Sequence, residues 1–148
     1  MVPRILVGLL SVATFAVSKA AATVFCEPTS PGQCTLSLIG TYDPDYWPHS
    51  YWKKAEVHDS NCQVIGTRVQ NDVVFEYLKS VVPFSIFSTL PWTTDITHLD
   101  EVGEYNRIGM KYGDYEYTGD FDCALIQDVL LPNPNNQDNV CKHVFPCA

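Results

Sequence analysis

All six cysteines of the 148-residue chain, at positions 26, 34, 62, 123, 141 and 147, lie downstream of an N-terminal stretch reading MVPRILVGLLSVATFAVSKAAA. That stretch has Arg4 as a charged start, an apolar run from Ile5 to Val17 and small residues after it, the pattern of a secretory signal peptide cleaved after residue 20 or 22. The run is too short for a bilayer core of ~30 Å, so a retained membrane anchor is not expected. An even cysteine count in an exported chain predicts disulfides, and no Cys-x-x-Cys spacing points to zinc or redox chemistry. Six cysteines allow fifteen connectivities. We expect Cys26 or Cys34 to tie the start of the mature chain to the tail at Cys141 and Cys147, with Cys62 and Cys123 bridging the middle.

Cleavage removes Arg4 and Lys19, leaving seven basic against seventeen acidic side chains and a formal charge of −10. A chain so acidic lacks the general basic field that nucleic acids or anionic membranes require. The expectation is a secreted, extracellular monomer, one domain over 21–148 after a signal peptide at 1–20, with no cofactor, no metal and no lipid-anchor tail.

Short runs rich in β-branched and aromatic residues recur between turn signals, at 34–40, 51–58, 62–69, 72–79, 83–90 and 105–112. Their number and spacing predict an all-β fold, a disulfide-stabilised antiparallel β-sandwich or small barrel with at most one short helix, around Asp72 to Ser80. The tail at 130–148, with Pro132, Pro134 and a cluster of asparagines, is expected to lack regular structure and to be pinned by its two cysteines. The run at 81–92 reads as a core strand, with an exposed docking strip as the alternative.

The stretch YGDYEYTGDFDCAL, residues 112–125, invites a calcium reading because its acids fall at alternate positions around Gly119. Its closing position is Leu125, where a bidentate glutamate would be needed. A tight turn at Gly113-Asp114 makes better sense of it, setting Tyr112 opposite Tyr115, Met110 opposite Tyr117 and Ile108 opposite Gly119. The hairpin then shows an apolar face of Ile108, Met110, Tyr112, Tyr115, Tyr117 and Phe121. Its polar face sets Lys111 against Glu116 and Arg107 against Asp120.

Two groups of residues carry candidate chemistry. The proline-stiffened loop at 41–52 crowds Tyr42, Tyr46, Trp47, Tyr51 and Trp52 together, side chains suited to stacking on sugars or anchoring a protein partner. Part of it, Trp47-Pro48-His49-Ser50-Tyr51, resembles the Tyr-Pro-His-x-Tyr motif of the small secreted guanyl-specific ribonucleases of fungi. Asp72-Val73-Val74-Phe75 is similar to that family's Arg-Val-Val-Phe strand, and Ile96-Thr97-His98 to its second histidine segment. The resemblance implies His49 and His98 as acid/base histidines with Glu56 as the base. It departs from the pattern at Asp72, where the phosphate-steadying arginine should stand, and Arg68 is displaced from that position. A glycosidase pair such as Glu56 with Glu76 is a further catalytic alternative.

In size, acidity and cysteine content, and in the segments HDSNCQVIG (58–66) and CKHVFPCA (141–148), the mature chain also resembles small secreted cysteine-containing fungal proteins of the effector or elicitor type. That resemblance implies action by binding an extracellular or host component. The function expected is therefore non-catalytic binding of a protein or glycan partner. The alternatives are a ribonuclease-like protein, active or inactive, and a calcium- or carbohydrate-binding sandwich.

Overall fold

The computed structural model describes residues 25–42, 51–69, 78–99, 107–127 and 137–148. Nine strands occur among them: β1 (Gln33–Tyr42), β2 (Tyr51–His58), β3 (Val64–Val69), β4 (Phe84–Ile86), β5 (Thr94–Leu99), β6 (Arg107–Tyr112), β7 (Tyr115–Asp120), β8 (Asp122–Gln127) and β9 (Gln137–Pro146). They form two antiparallel sheets, one in the order β3-β2-β1-β9-β8 and one in the order β4-β5-β6-β7. The predicted all-β, disulfide-bonded sandwich is what the chain adopts.

Alternation explains the packing. Leu36 and Leu38 of β1, Ala55 and Val57 of β2, and Cys141 and Phe145 of β9 enter the core from the five-stranded sheet. Phe84, Ile86, Ile96, Ile108, Met110 and Tyr112 meet them from the four-stranded sheet. A bulge between Ile96 and His98 resets the alternation, so that Leu99 also points inward.

The sheets also meet at their flanks. On one side β7 passes to β8 through Phe121 alone, which is buried. On the other, Gly66 bridges Ser88 and the amide of Thr89 donates to the carbonyl of Ile65 at 3.2 Å. A side chain at Gly66 would stand 2.6 Å from Cβ of Ser88, so only glycine lets the two backbones come this close.

The 112–125 hairpin has the predicted register throughout, from Tyr112 against Tyr115 to Arg107 against Asp120. Two other expectations are corrected, and a third lies mostly outside the described residues. The tail is not irregular: β9 is a ten-residue strand between β1 and β8, because Pro132, Pro134 and most of the asparagines precede it, while Val140, Cys141, Val144 and Phe145 fall within it. Of the run at 72–80 expected as a strand or short helix, residues 78–80 belong to a 3-10 turn that ends at Val81, and 72–77 lie outside the described residues. The strand expected over 83–90 shortens to Phe84–Ile86, and β5 supplies the neighbour that the sequence reading omitted.

The disulfides are Cys26–Cys62, Cys34–Cys147 and Cys123–Cys141. The tie from the start of the chain to its tail is made by Cys34, as one of the two options held, but Cys62 and Cys123 do not bridge to each other. Cys123 faces Cys141 directly in the β8–β9 register, with their Cα atoms 4.0 Å apart, so pairing follows from strand alignment. Cys62 sits in the β2–β3 turn, where Asp59 Oδ1 accepts from the amides of Asn61 at 2.9 Å and Gln63 at 2.8 Å. That turn holds Cys62 at a left-handed φ of 63° and presents it to Cys26.

Peptide mapping under non-reducing conditions should recover these three pairs. Replacing Cys34 and Cys147 together by alanine should cost about 4 kcal/mol in denaturant melts, more than losing Cys123–Cys141 at about 3 kcal/mol, because the first closes much the longer loop. Equal losses would contradict the loop-entropy account.

Candidate functional site

The residues proposed for catalysis do not converge. Glu56 alternates with the core residues Ala55 and Val57, so its carboxylate leaves the outer face of the five-stranded sheet, in a row with Lys54 and His58. Lys54 Nζ stands 2.5 Å from one carboxylate oxygen. His58 Nε2 lies 3.4 Å from the other, close enough for charge attraction but not aligned as a hydrogen bond. Burial pushes the Glu56 carboxyl up, but the contacts and charges of His58 and Lys54 outweigh it and hold the group below the usual carboxylate range. A carboxylate clamped in this way is a weak base. His98 is exposed on the four-stranded sheet, and His49 lies outside the described residues.

The aromatic cluster divides. Trp52 is 1% exposed and belongs to the core, which corrects its assignment to a contact surface. Tyr46 and Trp47, and the side chains of Tyr42 and Tyr51, lie outside the described residues. Among the described residues, the large aromatics exposed to solvent are Phe87, 75% exposed, and Trp92, 56% exposed. Both belong to the run read as core, where Phe84 and Ile86 are indeed buried. The overlooked signal is that Phe87 directly follows Ile86, and adjacent strand residues cannot share a face.

Trp92 is exposed but held. Its ring meets Tyr112 edge to face at a centroid distance of 5.6 Å. It also rests on the β6–β7 turn, where Gly113 has a φ of 55° and an added Cβ would approach the indole to 3.3 Å. The turn glycine therefore serves both the hairpin and the seat of the tryptophan.

A second feature lies on the outer face of the five-stranded sheet. Residues 25–30 cross it, fixed by the Cys26–Cys62 disulfide, by donation from Ser37 Oγ to the carbonyl of Phe25, and by donation from the amide of Thr29 to the carbonyl of Ser60 at 3.0 Å. Between this segment and β8 and β9 opens a cavity of about 390 Å³, lined among others by Glu27, Thr35, Asp120, Asp122, Lys142 and His143. Lys142 Nζ pairs with Glu27 Oε1 at 3.2 Å. His143 stacks on Tyr117 at a centroid distance of 3.9 Å and on Phe121 at 4.9 Å, and its Nε2 lies 2.9 Å from Tyr115 Oη. Burial lowers the His143 pKa, so the imidazole is neutral at neutral pH. Thr35 is 1% exposed, and its Oγ1 has no hydrogen-bond partner among the described residues.

Among the described residues, no group of three or more His, Cys, Asp or Glu is placed to hold a metal ion. No family model matches this sequence, and neither a curated protein nor a solved structure matches it.

The two depressed pKa values set a pH dependence. An ordinary histidine titrates near 6.5 and His143 lies lower, so its contribution to stability is complete above about pH 6.5 and declines as the pH falls toward its folded value. Glu56 lies below the ordinary 4.5, so its contribution is complete above that and is lost as the pH falls through its folded value. Urea melts from about pH 7 down to about pH 3 should therefore lose stability in two stages. His143→Phe should remove the upper stage and Glu56→Gln should flatten the lower; a profile unchanged by both substitutions would contradict these assignments.

Proposed function

We propose that this chain is an exported, non-catalytic binding protein of the effector or elicitor kind, engaging a protein or glycan partner outside the cell through the surface around Phe87 and Trp92. The observation that carries the reading is the state of Trp92, more than half exposed yet fixed in orientation by Tyr112 and Gly113. A rigid aromatic loses little conformational entropy on binding, and tryptophan is over-represented among residues that dominate binding energy. An indole face also suits the C–H faces of a sugar ring. Three disulfides and a filled core hold the platform beneath it and suit an oxidising, extracellular setting.

The ribonuclease alternative draws no support from the described residues. Its base would be a clamped carboxylate on one sheet, with a histidine exposed on the other. Of the loop aromatics, Trp52 leaves the proposed surface because the core holds it, while Tyr42, Tyr46, Trp47 and Tyr51 remain its proposed extension.

The test measures binding of the mature protein, by calorimetry, to soluble cell-wall oligosaccharides and to extracellular host proteins fractionated to homogeneity. Trp92→Ala should weaken the interaction about tenfold or more, with Phe87→Ser and the paired replacement of Tyr46 and Trp47 weakening it less and melting temperatures nearly unchanged. Undiminished affinity in Trp92→Ala would overturn the proposed surface. RNA cleavage by the purified protein that His98→Ala abolishes would overturn the non-catalytic reading.

A further inference from the structure

The cleft on the outer face of the five-stranded sheet has a chemistry that the aromatic surface does not use. Glu27, Asp120 and Asp122 bring three carboxylates to it and Lys142 one ammonium, which Glu27 engages. Asp122 lies opposite Lys142 in the β8–β9 register, but the lysine turns to Glu27 instead. Asp120 has Arg107 opposite it in the β6–β7 register, and among the described residues neither Asp120 nor Asp122 closes an ion pair, so both carboxylates remain available to the cleft.

Two further observations narrow what would balance them. Thr35 lines the cavity, and among the described residues its buried Oγ1 lacks the hydrogen bond that a buried hydroxyl ordinarily makes. A bare metal ion does not meet the need, because no three ligating side chains among the described residues come together. The volume of about 390 Å³ lies in the range of small-molecule sites and exceeds what a single ion occupies. An organic cation with several N–H donors fits all of this, spreading one charge over hydrogen bonds to separated acceptors.

We infer that this cleft binds an alkylammonium or guanidinium group, carried by a free polyamine or by a lysine or arginine side chain, with Asp122 and Asp120 supplying the charge and Thr35 a hydrogen bond. His143 alternates with Lys142 on β9, so its ring turns inward with Cys141 and Phe145 onto Tyr117 and Phe121 and adds no competing positive charge to the cleft. The site is separate from Trp92, which lies on the other sheet's side of the molecule, so the two readings stand or fall independently.

The experiment titrates isotopically labelled mature protein with spermidine and, separately, with N-acetyl-lysine methylamide, following the NMR signals of Thr35, Asp122 and His143. N-acetyl-norleucine methylamide, which lacks the ammonium, is the control. Saturable shifts at these three residues with either cationic probe and none with the control are expected, and the stronger probe identifies the source of the group. Asp122→Asn, at an exposed position, should weaken binding about tenfold, and the isosteric Thr35→Val several-fold. Trp92→Ala should leave it unchanged. The proposal is overturned if neither cation shifts these signals, if the norleucine control binds as well, or if Asp122→Asn binds like the parent.

Discussion

A strand hydrogen-bonded along both edges commits its neighbours as well as itself, and β9 is such a strand. It pairs with β1 from Gln33 to Tyr42 on one side and with β8 from Asp122 to Gln127 on the other. Two of the three disulfides join it or the residues just beyond it, through Cys141 and Cys147. Its inward residue Phe145 is fully buried and packs against Tyr112 at a centroid distance of 5.3 Å, coupling the five-stranded sheet to the hairpin of the other. Without β9, β1 would become an edge, β8 would have no partner, and the corner at Phe121 would have no sheet to turn into. The last segment of the chain thus closes contacts with the first, a non-local arrangement whose ordering entropy the disulfides reduce in the unfolded state.

How much of this was legible in the sequence can be judged from particular residues. The hairpin was legible to the residue, because a glycine-centred turn and strict alternation fix register by counting, and no distant contact enters that count. Strands β1 and β2 were legible from their β-branched and aromatic content, but not their pairing, which carries a bulge. The tail was not, because Pro132, Pro134 and the asparagines dominate the composition of 130–148 while the strand begins only after most of them. β5 was hidden by its bulge, which breaks the period between Ile96 and Leu99 and leaves His98 looking like a motif rather than a strand residue. Cystine pairing depends on which strands become neighbours, so no local pattern could yield Cys123–Cys141 before β9 was placed beside β8.

The candidate sites were less legible than the fold. Glu56 was visible as an acid, but its restraint by Lys54 and His58 required knowing that β2 exposes alternate residues on a sheet face, and that the face is buried there. Trp92 was read as core because it ends an apolar run; its exposure follows from the short length of β4 and the turn beyond it. Thr35 carried no sequence signal at all. A threonine within a strand is ordinary, and only its missing hydrogen bond marks it.

The cleft follows from a disulfide rather than from the sheet. Residues 25–30 precede β1 and have no strand partner, so a reduced chain would have little to keep them across the outer face. Cys62 gives them an anchor because the Asp59 turn holds it in a left-handed conformation, and Thr29 adds a backbone bond to Ser60 on the same turn. From that anchor the segment reaches Glu27 to Lys142 on β9, which turns the lysine away from its register partner Asp122. One cross-link at the β2–β3 turn thereby sets the charge balance at the far side of the sheet. One of the three disulfides, placed on the segment just before β1, thus shapes a surface, while the other two secure the strand on which the fold depends.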